Sequence, residues 1–179
     1  DRAALAHALA LDTIAAAATA TRVAEVVVVT DDPEVAAEAS RLPRVRVVGE
    51  GEPAGLDAAV ATGAQSASGA RAAMLGDLPA LRPGDLDAAL TAADDVERGL
   101  VRDAEGTGST LVTARAGAVW LSAFGEDSAA RHLLLGCVDL DIPDGSTLRR
   151  DVDTVEQLAQ ARALGVGPRT AVLLDAAEA

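Results

Sequence analysis

The feature that most constrains the fold is a run of four consecutive valines at residues 26–29. Four β-branched residues in a row favour a strand that is buried on both faces, which is typical of a parallel sheet. Asp31, Asp32 and Pro33 end the run. A proline suits the first turn of a helix, which we predict at residues 34–40. The chain therefore contains at least one strand–helix unit.

The same alternation of apolar runs and helical segments continues along the chain, with a less regular rhythm after Leu100. Repeated strand–helix units imply an α/β fold with a mostly parallel, Rossmann-like sheet, helices on both faces and a small β-rich insertion. We predict strands at residues 25–30, 45–48, 70–75, 111–113, 138–140 and 148–152, and helices at residues 5–19, 34–40, 56–65, 127–135 and 155–163, with another starting at Pro83.

The charge of the chain argues against binding to a polymeric nucleic acid. The formal net charge is -13, and all 15 basic residues are arginines. Binding through the phosphates of a nucleic acid needs a surplus of positive charge. One Phe, one Trp and no Tyr also leave little aromatic surface for stacking on bases. A small anion is compatible with this composition, because backbone N–H groups, single arginines and a metal ion can bind it locally.

Length and cysteine content favour one domain without disulfides. A chain of 179 residues can bury a single sizeable core. The lone Cys137 excludes an internal disulfide and a multi-cysteine metal cluster, and we expect it in the core. The sequence has neither the roughly 20 apolar residues of a membrane helix nor a secretion signal. We therefore expect no membrane partner and a cytoplasmic location.

Candidate ligand-binding residues follow the predicted strands. In open parallel sheets, ligands bind outside the carboxyl ends of the strands. Four polar or glycine-rich segments occupy such positions, namely residues 30–32, 49–55, 76–77 and 150–153.

Three aspartates in these segments are candidate magnesium ligands. Asp77 follows an apolar strand, and Asp151 and Asp153 flank one residue, so that alternation sends both side chains to one face. Carboxylates from two strand ends can hold Mg²⁺ against substrate phosphates. The alternatives are that Asp77 forms a turn and that Asp151 or Asp153 caps the last predicted helix, although Thr154 is also suited to capping.

Two further segments are suited to binding an anion. Residues 106–110 combine glycines with hydroxyl side chains, and residues 124–132 lead into a helix at Ser128. The alternatives are a hairpin turn for the first segment and an ordinary helix cap by Asp127 or Ser128 for the second. His132 is interpreted as structural or as a weak anion contact. No nucleophile elbow supports Ser-His-Asp catalysis.

Four motifs, in this order, resemble one family. It is the 2-phospho-L-lactate or phosphoenolpyruvate guanylyltransferases, which activate a phosphorylated three-carbon acid with GTP for deazaflavin coenzyme (factor 420) biosynthesis. The resemblance covers nearly the whole chain, and the Phe-Gly and Ser-x-x-Arg-His segments of the third motif make it much more specific than the first motif alone. The motifs are Gly-Asp-Leu-Pro-Ala-Leu at residues 76–81, Gly-Thr-Gly-Ser at 106–109, Phe-Gly-x-Asp-Ser-x-x-Arg-His at 124–132, and Asp-Val-Asp-Thr at 151–154.

The resemblance implies a role for several of these residues. Asp77 and Asp151 are similar to the catalytic magnesium ligands, with Asp153 an adjacent candidate. The family implies an acceptor-binding set and a nucleotide-binding set, and at the last position of the nucleotide set it commonly has Asn where this chain has Asp57. The acceptor set is Ser109, Gly125 and Ser128, and the nucleotide set is Gly55, Leu56 and Asp57.

As a member of this family, the protein is expected to transfer GMP from GTP to phosphoenolpyruvate or 2-phospho-L-lactate, with Mg²⁺ as cofactor and pyrophosphate as the other product. The Arg-rich, Ala-rich composition is typical of actinobacteria, whose relatives favour phosphoenolpyruvate. The alternatives are a molybdenum-cofactor type or other nucleotidyltransferase, and a nucleotide-binding module without turnover.

Family members begin with a strand and a basic loop around the triphosphate, whereas this sequence starts at the following helix. We therefore expect residues 1–179 to form a single nucleotidyltransferase domain whose N-terminal strand and triphosphate loop lie outside this sequence. The oligomeric state stays open, with a homodimer among the alternatives.

Overall fold

Helices and strands alternate along the chain, as the runs of valine and alanine predict. The computed structural model describes residues 2–52 and 55–178. In this part of the chain, no helix is long and apolar enough to cross a membrane. The helices are α1 (Arg2–Thr19), α2 (Pro33–Ala39), α3 (Leu56–Ser66), α4 (Pro83–Ala92), α5 (Ser128–Leu134), α6 (Val155–Leu164) and α7 (Pro168–Glu178), and the strands are β1 (Val26–Val29), β2 (Val45–Val48), β3 (Arg71–Met74), β4 (Arg98–Arg102), β5 (Ser109–Ala114) and β6 (Val138–Asp139).

The strands of the described residues form two sheets. β1 and β2 pair in parallel, with Val26 opposite Val45. The second sheet has the order β3-β5-β4-β6, and only its β4–β6 pair is parallel. The α/β class is therefore confirmed, with one parallel and one mixed sheet. The valines of β1 are half-buried, because within the described residues this strand has a neighbour on one side only.

Alternation along the central hairpin places neighbouring side chains in different apolar clusters. Leu100 and Val112 pack with Phe124 and Cys137 in one buried cluster. The residues next to them in sequence belong to a larger cluster on the other face, because successive residues of a strand point to opposite sides. That cluster includes Val101, Leu111, Leu78, Leu86 and Leu148. The predicted core position of Cys137 is confirmed.

The predicted strand at residues 148–152 is wrong, because a short 3-10 helix, Thr147–Arg149, occupies its first half. Side chains take the backbone donors that a strand would have used. The Asp85 carboxylate accepts the Thr147 N–H at 2.7 Å, and the Ser146 hydroxyl accepts the Leu148 N–H at 3.3 Å. Local bonds of this kind compete with strand pairing.

A buried aspartate on α1 holds the start of α7, a helix absent from the sequence-based assignment. The Asp12 carboxylate accepts the N–H groups of Arg169 at 3.2 Å and Thr170 at 2.8 Å. These donors have no partner within their own helix, so Asp12 caps it from 157 residues away. Gly167 lies against the same carboxylate and donates its N–H to the Pro79 carbonyl at 2.8 Å. The α6–α7 connection is thus tied to the loop that follows Asp77.

We expect Gly167→Ala to destabilise the protein by about 1 to 3 kcal/mol, as overpacking of a filled site does. A Cβ at Gly167 would lie 2.3 Å from Cγ of Asp12. Urea unfolding measures the loss. Gly145→Ala is the matched control, since a Cβ there meets no atom within 4 Å. Equal stability of the two variants would contradict the packing described for Asp12.

Candidate active site

The segment after β3 presents Asp77 in a loop that is held from two sides. Leu75 still pairs with the sheet, donating its N–H to the Thr110 carbonyl at 3.1 Å. The next fixed donor is Leu78, whose N–H bonds to the hydroxyl of Thr13 on α1 at 3.0 Å. Thr13 in turn donates to the Leu9 carbonyl at 2.8 Å. The loop between these anchors therefore has little freedom around Asp77.

Asp151 lies between the 3-10 helix and α6 and is buried. Thr154 is the N-cap of α6, and its hydroxyl accepts the Gln157 N–H at 3.2 Å. The Gln157 amide oxygen reaches back to the N–H groups of Asp153 and Thr154, which completes a capping box. The capping alternative for Asp151 and Asp153 is therefore wrong, because Thr154 caps this helix.

Asp77 and Asp151 influence each other electrostatically. Burial, with a smaller contribution from the negative charge of Asp153, raises the pKa of Asp77 from its ordinary 3.8 to about 6. Burial also raises the pKa of Asp151, to about 7, with contributions from the charges of Asp77, Asp103 and Asp153. One oxygen of each carboxylate, Oδ1, is buried without a hydrogen-bond partner among the described residues.

Two buried carboxylate oxygens without partners are a donor set that suits a divalent cation. Magnesium is commonly bound by one or two carboxylates, with water and substrate phosphates completing its shell. Among the described residues, no three His, Cys, Asp or Glu side chains gather into a ready-made metal cage.

Ser109, Ser128 and His132 form one buried hydrogen-bonded network. The Ser128 hydroxyl accepts the Ser109 N–H at 2.8 Å. Nε2 of His132 accepts the Ala123 N–H at 2.9 Å, so the neutral ring carries its proton on Nδ1, which lies 2.9 Å from the Ser109 hydroxyl oxygen. Burial lowers the pKa of His132, which favours this neutral form. The structural interpretation of His132 is thus supported, and it orients Ser109.

The glycine-rich segment before Ser109 is a hairpin turn. Asp103 directly follows β4, and its carboxylate accepts the N–H groups of Thr107 at 2.9 Å and Gly108 at 2.6 Å. A ligand anion would have to displace Asp103 to reach these two donors. The turn alternative therefore describes residues 106–108, while Ser109 already belongs to β5.

Gly125 lies in a loop whose backbone is bound by side chains of two helices. Asp57 of α3 accepts the Phe124 N–H at 2.9 Å, and Arg131 of α5 donates to the Phe124 carbonyl at 3.1 Å. Gly125 has a φ of 107°, a conformation that favours glycine. Asp127 adopts the left-handed region and makes no capping hydrogen bond with its side chain. An ordinary cap by Asp127 is therefore not formed.

The predicted nucleotide-binding residues form the start of α3. Gly55 is its N-cap with a φ of 124°, and within the described residues no side chain caps the first turn. Leu56 is 51% exposed, and Asp57 is half-buried in the first turn. Free backbone donors at a helix start are suited to an anionic or polar ligand. Of the predicted loop at 49–55, residues 53 and 54 lie outside the described residues.

The two aspartates that follow β1 accept hydrogen bonds from nearby backbone N–H groups. Asp32 is the N-cap of α2, and its carboxylate accepts the N–H groups of Glu34 and Val35. Asp31 accepts the Glu50 N–H at 3.0 Å and so ties the end of β1 to the end of β2. These two aspartates are accounted for by structure without a ligand.

A cleft of about 1120 Å³ lies elsewhere, between α1, α2 and the start of α7. His7, Glu38 and Arg169 line it, and His7 Nε2 lies 3.2 Å from a Glu38 carboxylate oxygen. Asp32, which caps α2, lines this cleft, whereas Asp77, Ser109, Ser128 and Asp151 do not. Its size alone is therefore no argument for binding there.

Comparison with known proteins finds relatives that match nearly the whole chain. The family model of the MobA-like NTP transferase domain matches residues 4–140. A phosphoenolpyruvate guanylyltransferase of Thermomonospora curvata is 50% identical over 177 residues, covering 96% of this chain and 77% of the relative. Proteins of the same name from Salinispora arenicola and Geodermatophilus obscurus are 48% and 50% identical, covering 97% and 95% of this chain and 82% and 78% of their own. The chain belongs to this guanylyltransferase family.

Membership of the guanylyltransferase family makes the protein an enzyme of the nucleotidyltransferase class and confirms the resemblance seen in its motifs. The domain match includes Asp77 but ends before Asp151. The relatives are similar over nearly the whole chain.

Two residues that act on Asp77 and Asp151 were not predicted from the sequence. Thr13 holds the Asp77 loop, and Asp103 contributes charge beside Asp151. A polar residue amid the apolar positions of a helix could have indicated Thr13. Asp103 has the strand-end position that identified Asp77, but the short apolar run before it gave no clear strand.

We expect Thr13→Val to weaken Mg²⁺ binding, because the methyl group leaves the buried Leu78 N–H without its acceptor and loosens the Asp77 loop. Loss of such a partner costs about 1 to 3 kcal/mol. Calorimetric titration with Mg²⁺ and urea unfolding measure the two effects. Thr170→Val is the matched control, since that hydroxyl is buried and has no hydrogen-bond partner in the part of the chain that the structure describes. Equal Mg²⁺ affinity in both variants would contradict the proposal that Thr13 supports metal binding by holding the Asp77 loop.

Metal affinity should rise with pH. Protons compete with Mg²⁺ while the pH is below the raised pKa values of Asp77 and Asp151, which are about 6 and about 7. Titrations from about pH 5.5 to about pH 8 should show tighter binding at each step, and Asp151→Asn should flatten the dependence. Without metal, the stability of the fold should fall as pH rises from about 4 to about 7, because the folded state binds more protons than the unfolded state there. A pH-independent Mg²⁺ affinity would contradict the shifted pKa values.

Proposed function

We propose that the protein transfers GMP from GTP to phosphoenolpyruvate, with release of pyrophosphate, as a step of deazaflavin coenzyme biosynthesis. The observation that carries the proposal is the pair of buried, unpartnered carboxylate oxygens of Asp77 and Asp151. Relatives named phosphoenolpyruvate guanylyltransferase that match most of the chain support the acceptor. Since GTP belongs to the cytoplasmic pool, we also propose that the enzyme acts in the cytoplasm.

In this reaction an oxygen of the acceptor phosphate forms a bond to the α-phosphorus of GTP, and the bond to the β-phosphate oxygen breaks. The pyrophosphate leaves with that electron pair. Both reactants are strongly anionic, so their mutual repulsion is the main obstacle. A phosphate oxygen that is already ionised needs no general base, and the task of the side chains is positioning.

Asp77 and Asp151 would hold Mg²⁺, with Asp153 adjacent. When bound, Mg²⁺ supplies positive charge that neutralises the phosphates of GTP and the acceptor. The two carboxylates are held in place by their backbone. Thr13 restrains the segment that carries Asp77, and the capping box of α6 restrains the segment that follows Asp151. A proton on either carboxylate would oppose metal binding.

The acceptor is proposed to bind at Ser109, Gly125 and Ser128. The Ser109 hydroxyl accepts from His132 Nδ1, which leaves its own hydrogen free to donate to a phosphate or carboxylate oxygen. The Ser128 hydroxyl likewise accepts the Ser109 N–H and keeps a donor. Gly125 lets a ligand approach the backbone, since no side chain stands there.

GTP is proposed to bind at the start of α3. Within the described residues, no side chain caps the first turn, in which Gly55 and Leu56 present backbone N–H groups. Asp57 lies in the same turn and belongs to the nucleotide set that the family motif implies. Its Oδ1 accepts the Phe124 N–H, so its proposed part in GTP binding is to position this helix start.

The decisive test is an assay of purified protein with Mg²⁺, GTP and either phosphoenolpyruvate or 2-phospho-L-lactate, following pyrophosphate release and product mass. We expect guanylylated phosphoenolpyruvate. Asp77→Asn and Asp151→Asn should each lower turnover by about 1000-fold or more, because a metal ion contributes several kcal/mol to charge stabilisation. Asp95→Asn is the control, since Asp95 is exposed in a short helix away from the strand ends. Full activity of both site variants would rule out this site.

A further inference from the structure

One carboxylate joins the two loops that are proposed to bind the two substrates. Oδ1 of Asp57 accepts the Phe124 N–H at 2.9 Å, although the residues lie 67 positions apart. Asp57 is in the first turn of α3, two residues after Gly55. Phe124 immediately precedes Gly125. A single hydrogen bond thus connects the nucleotide-binding helix start with the acceptor-binding loop.

In the loop that is proposed to bind the acceptor substrate, two consecutive backbone N–H groups are hydrogen-bonded to side chains. His132 accepts the N–H of Ala123, and Asp57 accepts the N–H of Phe124. The Phe124 ring is buried and meets the His132 ring edge-on, with centroids 4.9 Å apart and an interplanar angle of 73°. With the ring and Ala123 both anchored, removal of the Asp57 contact changes chiefly the backbone at Phe124 and Gly125.

The position of Asp57 in the helix favours the ionised carboxylate and strengthens its hydrogen bond to the Phe124 N–H. A carboxylate in the first turn of a helix interacts favourably with the partial positive charge of the free N–H groups. An N–H that donates to a charged group forms a stronger bond than one that donates to a neutral group. Asp57 is half-buried, which keeps this bond partly shielded from water.

We propose that Asp57 is a positioning residue that couples the nucleotide-binding start of α3 to the Phe124–Gly125 backbone, so that it acts on acceptor binding and not on the choice of base. The inference rests on the proposed substrate sites at Gly55 and Gly125. GTP that orders the start of α3 also orders the acceptor loop through this bond. By linkage, the acceptor then strengthens GTP binding by the same factor.

The test compares Asp57→Ala with Asp57→Asn, whose amide oxygen can still accept the Phe124 N–H. The KM for phosphoenolpyruvate is measured at saturating GTP, and base choice is measured as the ratio of kcat/KM for GTP and ATP. We expect Asp57→Ala to raise the KM for phosphoenolpyruvate about 10-fold to 100-fold, as loss of a charged hydrogen-bond partner does, with an unchanged GTP-to-ATP ratio. Asp57→Asn should recover most of the loss.

Asp87→Ala is the matched control. Asp87 of α4 uses its carboxylate in the same way, accepting the N–H groups of Thr21 at 2.9 Å and Arg22 at 2.7 Å. These residues lie before β1, at the opposite end of that strand from its site-facing loop. Its removal should reduce stability and leave both KM values unchanged.

The opposite pattern would overturn the inference. If Asp57→Ala lowers the GTP-to-ATP ratio and leaves the KM for phosphoenolpyruvate unchanged, Asp57 reads the base. If the alanine variant does not fold, Asp57→Glu keeps the charge but displaces the carboxylate by one methylene. Asp57→Glu should then raise the KM for phosphoenolpyruvate and leave the GTP-to-ATP ratio of kcat/KM unchanged. An unchanged KM for phosphoenolpyruvate would contradict the proposal.

Fluorescence of the single Trp120 gives a readout that does not depend on turnover. Trp120 packs against the cluster that contains Phe124. We expect GTP alone to change this fluorescence in the wild type and in Asp57→Asn, and not in Asp57→Ala. Absence of guanylylated product from the wild type would contradict the proposed function, whereas an equal GTP response in all three proteins would contradict the coupling.

Discussion

The structure depends on the placement of two carboxylates, Asp77 and Asp151, each with one buried oxygen that lacks a hydrogen-bond partner among the described residues. They are close enough that the charge of Asp77 raises the pKa of Asp151. Such an arrangement is unfavourable in a protein without a compensating cation or proton. The surrounding backbone bonds hold both segments in place in spite of it. Thr13 fixes the loop of Asp77, and the Gly167–Pro79 bond ties that loop to the α6–α7 connection. Carboxylates with raised pKa values that are held together in this way are typical of functional sites.

Several aspartates elsewhere in the chain accept backbone N–H groups, and three of the four described next, Asp12, Asp57 and Asp87, bind segments that are distant in sequence. Asp12 caps α7, Asp87 holds the turn before β1, Asp103 closes the β4–β5 hairpin, and Asp57 holds Phe124. This explains how a chain with 28 acidic and 15 basic residues uses its surplus of carboxylates. Their partners are backbone donors as well as arginines, so the acidic composition contributes to tertiary structure.

Local patterns predicted those elements that local physics determines. The valine runs predicted β1 and β2, and the Thr154 alternative correctly identified the α6 cap, because β-branched runs and capping residues act within a few positions. The strand at 148–152 failed because Asp85, over 60 positions away, takes the Thr147 N–H. The start of α7 depends likewise on Asp12. Asp77 follows β3, as the rule for strand ends expects, but Asp151 follows a 3-10 helix, so its charge beside Asp77 did not come from that rule. The Asp57–Phe124 bond left no signal in sequence.

The central claim is that Asp77 and Asp151 share one divalent cation. The most direct measurement is anomalous X-ray scattering from crystals grown with GTP and Mn²⁺ in place of Mg²⁺. The account predicts one Mn²⁺ peak within about 2.0 to 2.3 Å of an oxygen of each carboxylate, a distance typical of hard cations with oxygen ligands. A peak bound by neither aspartate, or two carboxyl groups joined by a shared proton with GTP present and no metal between them, would contradict it.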